Sequence, residues 1–359
     1  MDASLLTGAE FWSDSTSPTS DIPELSGHVL FETSGSSGVP KWVAISKQAL
    51  LISAAAVNRH LGVTRESCWG LVLPSYHVGG FGVAARAYEA GCGFHEFGER
   101  WHMEKFRDWL ESCGVTHTSL VPTQVHDLVQ GKLTAPANLK AIVVGGGRLE
   151  KATGQAARDL GWPVLASYGM TEASSQIATQ TLASLTQAYR CSPIPLLPIW
   201  EAKTLANDLL SISGPALFSG YVSGGRFFAR SADWHPTSDR VTLEGREISP
   251  LGRADSLVKV LGELVDPEAI ERELISQSQG RLYPGTIAVI AIPDERAGCA
   301  LVPIFDSTVD PQLFAAALAH FEKNTAGFKR LKPAVSIENF PRSELGKLRR
   351  SELAAILQK

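Results

Sequence analysis

From residue 28 to about residue 180, short apolar runs alternate with stretches of helical spacing. Val29–Phe31, Ser119-Leu120-Val121, Ala141–Val144 and Val164-Leu165 read as short buried strands. Ser46 is placed to cap a helix running to about Leu61, with Gly62 as its stop. Trp101–Cys113 has the same character and is ended by Gly114. Strands alternating with helices predict a layered α/β domain. Glycine follows several strand ends, the edge at which open α/β sheets bind ligands. Between residues 190 and 250 helical periodicity fades, and Pro, Gly and short apolar runs predict a small β-rich subdomain. A new unit follows Gly252-Arg253. It has helices near Pro267–Ile275 and Pro311–Lys323, strands at Ile287–Ile292 and Leu301–Phe305, and a last short helix. The expected layout is therefore a lead-in segment (1–27), a large layered α/β domain with its β-rich subdomain (28–254), and a smaller α+β C-terminal domain (255–359). Residues 13–27, rich in Ser, Thr, Asp and Pro, read as an extended or mobile lead-in.

Composition narrows the function classes. Apolar residues make up 44% of 359 positions, enough for a sizeable core. A net charge of −4 gives no electrostatic case for nucleic acid or an anionic membrane. No apolar run reaches the roughly 18 residues of a spanning helix, and Met1–Ser20 lacks the basic start and apolar core of a signal peptide. The five cysteines (68, 92, 113, 191, 299) form no close pair in sequence, which fits a reducing, cytoplasmic setting. The nine histidines show no metal-ligand spacing.

The strongest chemical signal is Phe31-Glu-Thr-Ser-Gly-Ser-Ser-Gly-Val-Pro-Lys41. Glycines admit an anion close to backbone N–H groups, hydroxyls add donors, and Lys41 adds a charge, so the run suits a triphosphate. The spacing is not that of the Walker loop, because Gly35 and Gly38 are separated by two residues and Pro40-Lys41 follows. Composition alone would equally suit a flexible linker.

Five further segments occur in order: Pro74-Ser75-Tyr76-His77-Val78-Gly79-Gly80, Gly145-Gly146-Gly147, Ser167-Tyr168-Gly169-Met170-Thr171-Glu172, Gly252-Arg253-Ala254-Asp255 and Leu345-Gly346-Lys347-Leu348-Arg349. With the opening loop they resemble the adenylate-forming superfamily of acyl-CoA synthetases, over residues 28–359. Within it, Ser119–Gln124, Tyr168–Glu172 and His77-Val78-Gly79-Gly80-Phe81-Gly82 followed by Arg86 are similar to the o-succinylbenzoate–CoA ligase family of menaquinone biosynthesis. The resemblance implies a carboxylate attacking the α-phosphorus of ATP to give acyl-adenylate and pyrophosphate. A thiol, usually that of coenzyme A, then displaces AMP. It also implies Mg²⁺ and a mobile C-terminal domain.

The same resemblance assigns roles. Thr33, Ser34, Gly35, Ser36, Ser37, Gly38 and Lys41 would hold the β- and γ-phosphates. Gly145, Gly146, Gly147, Ser167, Tyr168 and Gly169 would receive adenine and substrate, with Tyr168 stacking on the base. Thr171 would donate to the α-phosphate and Glu172 would hold Mg²⁺. Asp239 and Arg253 would take the ribose hydroxyls, although this chain has Thr237-Ser238-Asp239 where the family has Thr-Gly-Asp. Asp255 would be the hinge, and Lys347 would bridge the substrate carboxylate and the α-phosphate. His77 would line the acyl pocket or be a satisfied core histidine. Arg86 interrupts an apolar stretch and needs a partner if buried. A second substrate carboxylate, an internal salt bridge or a snorkelling surface position would each satisfy it.

Two departures stand out. Only about 30 residues precede the phosphate loop, where relatives place a large N-terminal subdomain; a homodimer is one arrangement that would replace it. Val260-Leu261-Gly262 stands where the family usually has Ser-Gly-Gly, near the thiol path, which bears on coenzyme A use. The competing expectations are a ligase for another acid or a carrier-protein thiol, and a nucleotide- or acyl-adenylate-binding protein without turnover.

Overall fold

The computed structural model describes all residues except 1–2, 14–21, 34–40, 279–280, 324, 326, 344–345, 347 and 359. The chain folds as two compact units. The first comprises Met1–Thr237 with Val241–Pro250, and the second Ser238–Arg240 with Leu251–Lys359.

The first unit begins with an antiparallel pair, β1 (His28–Thr33) and β2 (Lys41–Ser46), in register from His28↔Ser46 to Thr33↔Lys41. Strands Gly220–Ser223 and Arg226–Ala229 extend this pair to a four-stranded sheet. A six-stranded sheet follows, made of β3 (Cys68–Leu71), β4 (Gly93–Glu96), β5 (His117–Leu120), β6 (Ala141–Val144), β7 (Val164–Met170) and β8 (Ser175–Thr179). Its order is β4-β3-β5-β6-β7-β8, parallel except for the last pair. β3, β5 and β6 are buried along their whole length, as expected of strands covered on both faces.

Ser46 Oγ accepts the Ala49 N–H at 3.1 Å and starts helix Lys47–His60. Helix Val78–Ala90 packs against it and joins β3 to β4. Helices Met103–Ser112, Pro122–Gln130 and Lys151–Asp159 join the later strands. Right-handed crossovers put helix Val78–Ala90 on one face of the sheet and these three on the other. The order in which strands are added reverses between β3 and β5, so the crevice beyond their C-terminal ends is a topological switch point.

Of the lead-in expected over residues 13–27, residues 14–21 lie outside the described residues. The residues before it pack on the core through Ala3, Leu6 and Trp12, which are buried. Trp12 stacks on Tyr88 at 5.2 Å and meets Phe81 edge-on at 5.8 Å. The buried Lys47 donates to the carbonyl oxygens of Phe11 and Ser13. The aromatic pair Phe11-Trp12 therefore outweighs the polar residues around it.

Residues 194–253 form the expected β-rich part. Strands Glu201–Thr204, Leu209–Ser213, His235–Glu244, Glu247–Arg253 and Ile194–Pro195 make a five-stranded sheet.

The second unit contains strands Val258–Val260, Glu263–Val265, Ile287–Asp294, Gly298–Asp306 and Val335–Ile337. Helices Pro267–Gln277, Pro311–Lys323 and Arg350–Leu357 accompany them. Asp266 caps the first helix through the N–H groups of Glu268 and Ala269. Ile270, Leu274, Phe314 and Phe321 fill its core. The buried Glu271 takes two hydrogen bonds from Arg350 at 2.6 and 2.8 Å and one from the Val289 N–H, tying the last helix to its neighbours. Among the described residues, no helix is long and apolar enough to cross a membrane.

Candidate active site

The first unit gathers most of the described candidates at the C-terminal edge of its parallel strands. β6 ends at Val144, and Gly145–Gly147 follow, with Gly146 at φ +75°. On β7, Ser167 Oγ donates to the Val144 carbonyl at 2.8 Å, which joins the glycine loop to Ser167-Tyr168-Gly169. Gly169 faces the β8 backbone so closely that a Cβ there would lie 1.6 Å from the Ser175 carbonyl oxygen. Only glycine fits. Thr171 and Glu172 open the short turn after β7. That turn ends in two non-glycine residues of positive φ, Ser174 (51°) and Ser175 (97°). Ser174 is held there by its hydroxyl on the Ala216 carbonyl and by Ser53 on its own carbonyl. Backbone strain concentrated beside Glu172 is the pattern of a functional site.

The phosphate-loop residues Ser34, Gly35, Ser36, Ser37 and Gly38 lie outside the described residues, as does Lys347. The two ends of that loop are described. Thr33 pairs with Lys41 across the hairpin, and Thr33 Oγ1 donates to the Lys41 carbonyl at 3.0 Å. Lys41 Nζ sits 3.1 Å from the centroid of the Tyr221 ring, and Tyr221 Oη donates to Glu172 Oε1 at 3.2 Å. Lys41 and Glu172 are thus brought to one place. The Phe218 N–H fixes the Glu172 carbonyl at 2.8 Å, and the Phe218 ring meets Tyr221 at 4.7 Å and His235 at 4.9 Å. Burial lowers the His235 pKa, and nearby Arg230 and Lys41 act the same way against Glu172. Burial and Glu172 both push the Tyr221 hydroxyl up, so it remains a donor. Sequence reasoning missed Tyr221 and His235. Nothing local marks them; β-pairing of Gly220–Ser223 with β2 is what carries Tyr221 to Lys41.

Mg²⁺ fits this arrangement in a limited way. Glu172 Oε1 is engaged by Tyr221, which leaves Oε2 without a partner among the described residues. No cluster of three or more His, Cys, Asp or Glu able to hold a metal occurs among them. One carboxylate oxygen suits a Mg²⁺ whose other ligands are phosphate and water.

On the acyl side, helix Val78–Ala90 starts after His77, a half-buried N-cap residue whose ring lies 4.6 Å from that of the exposed Tyr76. Arg86 lies about 13 Å further along the helix axis, so the two do not converge. Arg86 is only 2% exposed. Its guanidinium donates to Ser119 Oγ on β5 at 3.2 Å and stacks over Trp69, 5.1 Å from the ring centroid. No carboxylate pairs with it among the described residues. Burial lowers its pKa to about 9, which leaves it charged at neutral pH. The missing side chain of Gly82 leaves open the space between the guanidinium and Ser175: a Cβ there would be 3.2 Å from Arg86 Nη2 and 3.6 Å from Ser175 Oγ.

Asp239, Arg253 and Asp255 belong to the second unit and come together there. Arg253 pairs with Asp255 at 2.5 Å and with Asp239 at 3.4 Å. The Arg253 guanidinium holds the Asp255 carboxyl below its usual pKa. Leu261 and Gly262, at the departure noted in the sequence, form an exposed turn with φ values of 52° and 88°.

An open α/β sheet with glycine loops at its strand ends suits a nucleotide, and residues 8–222 match the AMP-binding enzyme family, to which the chain belongs. Among characterised relatives, the 2-succinylbenzoate–CoA ligase of Listeria monocytogenes serotype 4b (strain F2365) is 28% identical over 326 residues, which are 89% of this chain and 68% of that protein. The enzyme of the same name from Escherichia coli (strain K12) is 29% identical over 73% of this chain, which spans only 54% of that relative's length. Two solved structures share the fold. One is the Bacillus subtilis o-succinylbenzoate CoA synthetase with its acyl-adenylate intermediate (TM-score 0.74, 23% identity, 90% of this chain and 68% of that one). The other is ATP-bound MatB of Rhodopseudomonas palustris (TM-score 0.75, 22% identity, 96% and 71%).

Proposed function

We propose that the chain is an ATP-dependent acid–thiol ligase. It activates an aryl acid bearing a second carboxylate as its acyl-adenylate, releases pyrophosphate, and passes the acyl group to coenzyme A with release of AMP. The acid named for its relatives, 2-succinylbenzoate, has that chemistry. The observation that carries the reading is Arg86. A charged guanidinium, buried against β3 and β5 and without a carboxylate among the described residues, suits an anion brought from outside.

No protein nucleophile is needed; the enzyme holds two anions together and offsets charge as it moves to pyrophosphate. Lys41, with Thr33 and the hydroxyls and glycines of Ser34–Gly38, takes the β- and γ-phosphates. Tyr168 offers its ring to adenine, and Gly145–Gly147 with Ser167 and Gly169 let base and acyl group lie against bare backbone. Thr171 donates to the α-phosphate. Glu172 holds Mg²⁺, which when bound offsets phosphate charge. Asp239 and Arg253 take the ribose hydroxyls, Asp255 is the hinge, and Lys347 joins the substrate carboxylate to the α-phosphate during adenylation only. His77 lines the acyl side. The protein works in the cytoplasm.

The test separates the half-reactions. With 2-succinylbenzoate and ATP, pyrophosphate should appear without coenzyme A, and AMP should turn over repeatedly once coenzyme A is added. Lys347→Ala should slow pyrophosphate release by about 100-fold or more while ATP still binds. Unchanged release in that variant, or no release with any of a panel of aryl acids, would sink the assignment.

A further inference from the structure

We propose that Tyr221 is a positioning residue that keeps Lys41 and Glu172 apart and aimed: its ring seats the ammonium, and its hydroxyl orients the carboxylate. The inference rests on the roles given above to Lys41 and Glu172 and adds a residue to which none of the sequence motifs points.

The geometry is specific. Tyr221 pairs with Val43 across the sheet, so Lys41, two residues before Val43 on β2, is its diagonal neighbour on the same face. Nζ lies over the ring at 3.1 Å from its centroid, the arrangement that the negative face of an aromatic ring favours. The hydroxyl, at the far end of the same ring, donates to Glu172 Oε1 at 3.2 Å. One side chain therefore spans a cation and an anion that belong to distant parts of the sequence. The platform is itself braced. Phe218 packs against the ring, its N–H holds the Glu172 carbonyl, and Arg230 Nε donates to the Phe218 carbonyl at 3.0 Å.

The chemistry gives this arrangement a purpose. A lysine and a glutamate at such close quarters would, with nothing between them, form a direct ion pair. That pair would consume both the charge needed for phosphate and the oxygen needed for Mg²⁺. With the tyrosine interposed, Lys41 is held by a weak contact that a phosphate oxygen outcompetes. Glu172 keeps one oxygen fixed and the other open. Tyr221→Phe removes only the hydroxyl and should loosen Glu172. Tyr221→Leu removes the ring as well and should let Lys41 collapse onto Glu172.

The experiment measures binding of a non-hydrolysable ATP analogue by calorimetry across a Mg²⁺ series, beside acid-dependent pyrophosphate exchange. The chains compared are the wild type, Tyr221→Phe, Tyr221→Leu, Glu172→Gln and the double variant Tyr221→Phe/Glu172→Gln. For Tyr221→Phe, the half-saturating Mg²⁺ should rise about five- to tenfold, with the KM for the acid unchanged. For Tyr221→Leu, analogue affinity should also fall by about tenfold. In the Glu172→Gln background, Tyr221→Phe should add nothing to the Mg²⁺ shift. If Glu172→Gln shifts the Mg²⁺ dependence and Tyr221→Phe does not, the proposal for Tyr221 is overturned alone. A further shift in the double variant also overturns it. If Glu172→Gln itself leaves the Mg²⁺ dependence unchanged, the metal role of Glu172 falls and the proposal falls with it. Tyr221→Phe keeps the ring and its packing, so the test survives a Tyr221→Leu chain that fails to fold.

Discussion

Two arginines divide the molecule. Arg350, in the second unit, has a side chain 34% exposed and touches two glutamates, Glu271 at 2.6 Å and Glu268 at 3.3 Å. Arg86, in the first unit, is 2% exposed and touches no carboxylate among the described residues. Folding energetics alone would arrange them the other way, since the charge more removed from water has the greater need of a partner. Burial works against both charges, but hydrogen bonding to Glu271 overrides it and raises the pKa of Arg350, whereas that of Arg86 falls to about 9. His117, on the strand that carries Ser119, shows the remaining solution: burial lowers its pKa to about 4, and it stays neutral. A basic side chain can be paired, neutralised or left charged to await a ligand. Arg86, held by Ser119 Oγ and over the Trp69 ring, takes the third course, and it lies beside β3 and β5, the strands that flank the switch point.

The comparison can be broken at each member. Glu271→Gln replaces the nearer of Arg350's two carboxylates by a neutral amide and leaves Glu268 beside it. Unfolding of the second unit in denaturant should then show a loss of about 3 kcal/mol, and a loss below about 0.5 kcal/mol would make the pair incidental. For His117 the sign runs with pH. The unfolded side chain titrates near the ordinary value of 6.5 and the folded one near 4, so between them the unfolded chain binds more protons. Stability should fall as pH drops from 6.5 to 4, by up to about 3 kcal/mol, and level off below. In His117→Asn this part of the slope should vanish from denaturant midpoints taken across that range. The smallest effect has the opposite sign. Arg86→Met, without ligand, should unfold at a slightly higher temperature, because an unpaired buried charge gives way to an apolar chain of similar reach. A gain of about 1 kcal/mol is expected. A loss of several kcal/mol would mean that Arg86 is a structural residue like Arg350.

Much of this was legible in the sequence, for identifiable reasons. Ser46 announces the helix that it caps, and the apolar run of β6 could be read because parallel strands are buried on both faces, whereas β5 was read two residues late because its buried His117, Thr118 and Ser119 are polar. Arg86 stood out as one charge inside the otherwise apolar stretch Phe81–Tyr88. Its lack of a carboxylate partner did not, because that depends on what β5 and the turn after β7 bring beside it. The packing of residues 3–12 was not legible because their composition is polar around Leu6, Phe11 and Trp12, the residues that seat them on helix Val78–Ala90. Tyr221 and His235 were invisible because their roles arise from strand pairing across long sequence distances, which no local spacing records.

The central claim is that Arg86 waits for the second carboxylate of the acid. The most direct test is the ratio of kcat/KM for 2-succinylbenzoate to that for its ester at the carboxylate that is not activated, measured by pyrophosphate exchange in the wild type and in Arg86→Met. The wild type should favour the diacid by about two orders of magnitude or more, and the variant should lose nearly all of that preference while its rate with the ester changes less than about threefold. A ratio that is the same in both chains would contradict the account.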